Sequence, residues 1–117
     1  MSYVDGYLLP IPKKNVRAYR RMAAMGRKAW MKHGALDYKE CVGEDLAPTF
    51  AAPFTRLLKL KPTETAVFAY IVFKSRAHRD QVNKRVIKEM SEMGGPQKDM
   101  PFDVKRMVYG GFKTLVE

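Results

Sequence analysis

The chain has 117 residues, enough for one hydrophobic core and too few for two ordinary domains. Its 46% apolar content excludes a disordered chain, and no run of about 18 apolar residues is present to span a membrane. The net charge of +10 is concentrated: eight basic residues and no acidic one lie between Lys13 and Lys32, and five basic against three acidic lie between Ser75 and Met93, while nine of each sign cancel elsewhere.

Tyr3 to Ile11 is aromatic and branched and ends at Pro10 and Pro12, which reads as a first strand. A first helix is expected from Lys13 to His33, with Gly34 as its C-terminal cap. At 100° per residue, Val16, Tyr19, Met22, Ala23, Gly26, Trp30 and His33 share one side, and the basic residues gather on the other. Ala35 to Gly43 reads as a second strand, with Leu36, Tyr38, Glu40 and Val42 on one side. A loop with two prolines follows, then a short extra strand is expected over Phe54 to Leu60, broken by Pro62. Thr65 to Phe73 is almost continuously apolar, the pattern of a central strand covered on both faces. Ser75 is the expected N-cap of a second helix with Val82, Val86, Met90 and Met93 inward, stopping at Gly94-Gly95-Pro96. After a loop from Gln97 to Val104, a last strand is expected over Lys105 to Val116, with Gly110-Gly111 marking a bulge or a close backbone approach.

The order is β-α-β-β-α-β, so the fold class is α+β, a ferredoxin-like unit with an antiparallel four-stranded sheet, as one domain over residues 1–117. Right-handed crossovers place strands one and three, the two most apolar, in the middle. Two helices cover one face of such a sheet. The other face, on the order of 350 Å² in outline, needs a cover. A homodimer is the expectation, the two bare faces closing on each other as a dimeric α+β barrel. The lone Cys41 excludes an internal disulfide, and the first residues lack the basic-then-apolar order of a signal peptide, so a cytoplasmic setting is expected.

Several segments carry a wider likeness. Tyr3-Val4-Asp5-Gly6, Trp30 to Leu36 (WMKHGAL), Glu40-Cys41-Val42-Gly43, Ser75 to Asp80 (SRAHRD) and Met100 to Phe112 (MPFDVKRMVYGGF) resemble the YbaA-like family of bacterial proteins. That family has no known function and is classed in the dimeric α+β barrel superfamily. The resemblance spans nearly the whole chain in the same order. It implies the dimeric barrel and no established activity. The uninterrupted cations of helix one are a departure from the family, where acidic residues are more often mixed in.

The chemistry-bearing residues each have a plainer reading. Glu40, in an apolar row, is a candidate general base, against a solvated or paired edge-strand carboxylate. Arg79, amid the apolar face of helix two, is a candidate anion binder, but an ion pair with Glu40 or Asp5 is the simpler expectation. His33 sits at the C-terminus of helix one, where a capping or core histidine is the ordinary case. Asp103, Lys105, Arg106 and Tyr109 form a mixed group that, with Tyr7, Trp30 and His33, can line a cleft between helices and sheet, where the resemblance also places ligands; Phe112 belongs to its expected apolar wall. The alternative is that Pro101-Phe102-Asp103 is only a rigid turn. Glu40 beside Cys41 disfavours a reactive thiolate. His33 and His78 do not form a metal-ligand pattern, and no glycine loop for phosphate is present, so neither a metal nor a cofactor is expected.

Two functions follow from different features. The leading one is a small-molecule-binding or enzymatic barrel with catalytic candidates Glu40, His33, Asp103 and Tyr109, and ligand contacts Tyr7, Trp30, Arg79, Arg106 and Phe112. The other is a non-catalytic basic protein that binds nucleic acid or another anionic partner through Arg17, Arg20, Arg21, Arg27 and Lys28. No aromatic interrupts that basic arc to stack on bases, and a solubilising face accounts for it adequately. No reaction can be read from the residues.

Overall fold

The apolar run ending at Phe73 lies inside the sheet. In the computed structural model, which describes residues 1–95 and 99–117, strand β3 (Glu64–Phe73) pairs with both β1 (Tyr3–Pro12) and β2 (Asp37–Val42). Strand β4 (Val108–Lys113) pairs with the other side of β1, so the order is β2-β3-β1-β4, antiparallel throughout. Two long helices, α1 (Val16–Lys32) and α3 (Arg76–Glu92), and one short helix, α2 (Phe54–Leu57), complete an α+β fold around an open sheet.

Register decides which side chains the helices cover. Opposite Tyr3, Asp5, Tyr7 and Leu9 of β1 stand Phe73, Ile71, Ala69 and Val67 of β3. Glu40 and Tyr38 of β2 are opposite Ala69 and Ile71, so they share this face. Two clusters form beneath the helices. One gathers Leu9, Ile11, Val67, Tyr19 and Ala23, and the other Ile71, Phe73, Ala35, Val82 and Val86. On the opposite face of the single chain nothing covers Phe68, Val108 and Phe112, which are 50%, 56% and 62% exposed.

The helix ends follow local chemistry. Ser75 caps α3 by accepting from the His78 backbone N–H at 3.1 Å. Gly34 ends α1 with φ +114°, a conformation that a side chain resists. Helix one starts later than its periodicity predicts. Lys13–Asn15 forms a single 3-10 turn after Pro12, and the Asn15 side chain donates to the Pro101 carbonyl at 2.9 Å.

Two expectations give way, and of the two alternatives for Gly110-Gly111 the close approach holds and the bulge does not. Phe54 to Leu60 is not a strand: Phe54, Leu57 and Leu58 are spaced as on a helix, and a helical turn buries Leu58. The last strand does not begin at Lys105. Asp103 accepts from the Lys105 N–H at 3.0 Å, and Val104–Arg106 closes as a 3-10 turn before β4. Gly110-Gly111 makes no bulge, since the β1–β4 register runs on unbroken from Leu8↔Val108 to Tyr3↔Lys113. Space explains Gly111, because a Cβ there would lie 2.2 Å from the Tyr3 hydroxyl oxygen. The expected end of helix two at Pro96 and the start of the following loop at Gln97 lie outside the described residues.

Phe73, fully buried between β1 and α3, is the largest side chain wholly inside the core. Its replacement by alanine is expected to destabilise the fold by about 3–5 kcal/mol, measured by urea denaturation. A loss below about 1 kcal/mol would mean that this cluster does not hold the second helix.

Candidate functional site

Between the two clusters the helices leave a cavity of about 480 Å³. Leu9, Tyr19 and Ala23 from one cluster and Ile71 from the other border it, with Tyr7, Trp30 and Tyr38. Met22 and Met25 from α1, Met90 and Met93 from the end of α3, and Met100 and Met107 from the returning chain also line it. These are six of the eight methionines in the sequence. Unbranched thioether side chains make a soft wall that adapts to what it touches.

Glu40 is the polar centre. The hydroxyl of Tyr19, on α1, donates to its Oε1, and the hydroxyl of Tyr38, two residues earlier on β2, donates to Oε2 at 2.5 Å. A glycine admits this arrangement. Gly26 in mid-α1 carries a helix penalty of about 0.5–1 kcal/mol relative to alanine. A Cβ there would lie 2.9 Å from the Tyr38 hydroxyl. Burial first, and then the Glu40 acceptor, push both tyrosine hydroxyls well above the ordinary range, so they remain protonated donors. Tyr7 is raised too, chiefly by burial.

The other candidate residues are distributed around this cavity and away from it. Arg79 pairs with Asp5, a fully buried carboxylate of β1, at 3.0 Å, and with Asp80 at 2.8 Å. It also donates to the Tyr109 hydroxyl at 2.6 Å and lies 5.0 Å from the centre of the Tyr3 ring. Tyr109 in turn packs on Tyr7 with ring centres 4.8 Å apart, so the ion pair stands behind the cavity wall. Trp30 lines the cavity and anchors its indole N–H on Asn83 of α3 at 2.9 Å. His33 caps α1 and faces Glu89 at 3.4 Å, beside the Lys32–Glu89 pair at 2.5 Å.

Asp103, Lys105, Arg106 and Phe112, expected in the cleft, do not line the cavity, and Lys105 is exposed. Asp103 is spent on capping its turn. That turn swings Arg106 onto Glu64 at 2.6 Å and the Leu58 carbonyl at 3.2 Å, an attachment for the α2 segment. Phe112 is opposite Val4 in the register and lies on the uncovered face, because side chains alternate and Tyr109 already points to the helices.

Residues 2–104 match the family model described as a protein of unknown function, DUF1428. The chain belongs to this family. Among curated relatives, the uncharacterized protein YbaA of Escherichia coli strain K12 is 35% identical over 119 residues, covering 100% of this chain and 99% of the relative. YbaA of Shigella flexneri gives the same values. Among solved structures, the de novo designed protein Foldit4 aligns over 100% of both chains with a TM-score of 0.45 and 9% identity, a likeness too loose to carry an argument.

In this DUF1428 chain the basic residues Arg17, Arg20, Arg21, Arg27 and Lys28 are all exposed and none borders the cavity. No helix is long and apolar enough to cross a membrane, and no cluster that could hold a metal occurs among the described residues. Sequence reasoning singled out Glu40 and missed its two hydroxyl partners. A signal was present: Tyr38 and Glu40 are two apart on a strand, and Tyr19 lies on the inner face of its helix.

The Asp5–Arg79 pair has a pH signature. Burial raises the Asp5 carboxyl above its ordinary 3.8, and Arg79 pulls it back down. A raised carboxyl holds its proton more tightly folded than unfolded. Its contribution to stability therefore falls as pH climbs from 3.8 through the folded value. Arg79→Met removes the counter-charge and is expected to cost about 3–5 kcal/mol at pH 7, and clearly less near pH 4, where the carboxyl can protonate. Urea titrations at the two pH values check this; equal losses would assign the cost to packing alone.

Proposed function

We propose that the protein binds a small organic molecule in the cavity between its helices and its sheet, as a homodimer of ferredoxin-like halves. The cavity carries this reading. Ligand sites commonly measure about 300–1,000 Å³, with mostly apolar walls and a few convergent polar groups. About 480 Å³ walled by aromatic rings and methionines around Glu40 fits that description. Glu40, Tyr7 and Trp30 serve as the ligand contacts, with Tyr19 and Tyr38 as positioning residues. Arg79 and Tyr109 support the wall from behind.

The strand order β2-β3-β1-β4, with a helix crossing between β1 and β2 and another between β3 and β4, supports a ferredoxin-like half-barrel. Large side chains at Phe68 and Phe112 on an uncovered sheet face support a second copy as its cover.

Two measurements test the parts separately. In a thermal-shift screen of aromatic acids, quinones, amines and similar metabolites, a saturating ligand is expected to raise Tm by roughly 5 °C or more. Ala69→Leu, which fills the cavity floor, is expected to abolish that shift. A screen that moves neither Tm nor the fluorescence of Trp30 overturns the binding reading. Sedimentation equilibrium at micromolar concentration is expected to show a dimer, converted to monomer by Phe68→Asp with the circular dichroism retained; a wild-type monomer overturns the assembly.

A further inference from the structure

The charge of the cavity is opposite to the charge of the chain. With 22 Lys and Arg against 12 Asp and Glu, the protein is strongly basic, yet among the described residues no Lys, Arg or His lines the cavity. Its two lining carboxylates differ in status. Glu89 is taken by Lys32 and His33. No cation reaches Glu40 among the described residues, where the hydroxyls of Tyr19 and Tyr38 occupy one lone pair on each oxygen and hold the carboxylate in place. Each oxygen keeps a further acceptor position. Tyr7, Tyr19, Tyr38 and Trp30 share the cavity with it.

Resting on the cavity reading above, we propose that the ligand is a hydrophobic organic cation, its ammonium centre placed against Glu40 and the surrounding rings and its apolar body against the methionines. The chemistry is selective in both directions. Aromatic rings and a carboxylate attract an ammonium centre, whereas an anionic ligand meets an acceptor-only group with no cation to balance it. A neutral ligand of equal shape gains the apolar wall and loses the charge.

Three probes decide the matter: 3-hydroxyphenyltrimethylammonium, its neutral isostere 3-tert-butylphenol, and the anionic 3-tert-butylbenzoate, which keeps the ring and the bulky group in the same meta arrangement. Trp30 is the single tryptophan and lines the cavity, so its fluorescence reads binding directly. The cation is expected to bind wild type at least about tenfold more tightly than its neutral isostere, the scale of one contact to a charged group. Glu40→Gln is expected to erase that preference. Tyr38→Phe, which frees one carboxylate oxygen, is expected to keep the preference for the cation even if Glu40→Gln does not fold. Equal or tighter binding of the neutral or anionic probe to wild type overturns the cation assignment and leaves the cavity reading intact. Binding of none of the three overturns both.

Discussion

The structure depends on how two helices cover four strands. Each helix packs on its own stretch of sheet, α1 over Leu9, Ile11 and Val67 and α3 over Ile71 and Phe73. The space between the two clusters is the cavity, and the sheet's other side is left with Phe68 and Phe112 uncovered. Both features come from placement: the long helices lie on one face, so the other stays open, and they pack on separate stretches of that face, which leaves the space between them.

The two carboxylates under the helices are each held by partners, Asp5 through its Oδ1 and Glu40 through both oxygens. Asp5 is the severe case, a fully buried carboxylate on a central strand, held by a guanidinium that also reaches Tyr109 and Asp80. Glu40 is the milder case, on an edge strand, held by two hydroxyls and, among the described residues, by no counter-charge. A charge paired with a charge is a support, and it stays behind the wall. A carboxylate held by neutral donors keeps its charge on offer, and that difference separates a structural ion pair from the centre of a site.

Much of the architecture was legible in linear form. Apolar continuity from Thr65 to Phe73 marked the middle of the sheet, Ser75 and Gly34 marked helix ends, and the ion-pair expectation for Arg79 named Asp5 as one of two partners. The misreadings were local and had one kind of cause. A short strand is expected over Phe54 to Leu60, bounded by prolines, although three of its apolar residues keep a helical spacing. Lys105 was read into a strand because a carboxylate that turns the chain by accepting from a backbone N–H leaves no mark in apolar patterning.

What the residues alone determined is the sequence of the four strands and the two long helices, the two central strands, the basic outer arc of α1 and the family. The strands, helices and basic arc follow from periodicity, punctuation and charge, which are properties of neighbours along the chain, and the family follows from motifs that resemble those of its members. Only the tertiary structure decided that Glu40 meets Tyr19 from across the layer, that Phe112 turns away from the helices while Tyr109 turns towards them, and that six scattered methionines share one cavity. Those depend on register and on where helices settle, and a one-residue slip of a strand would exchange every side chain between its two faces.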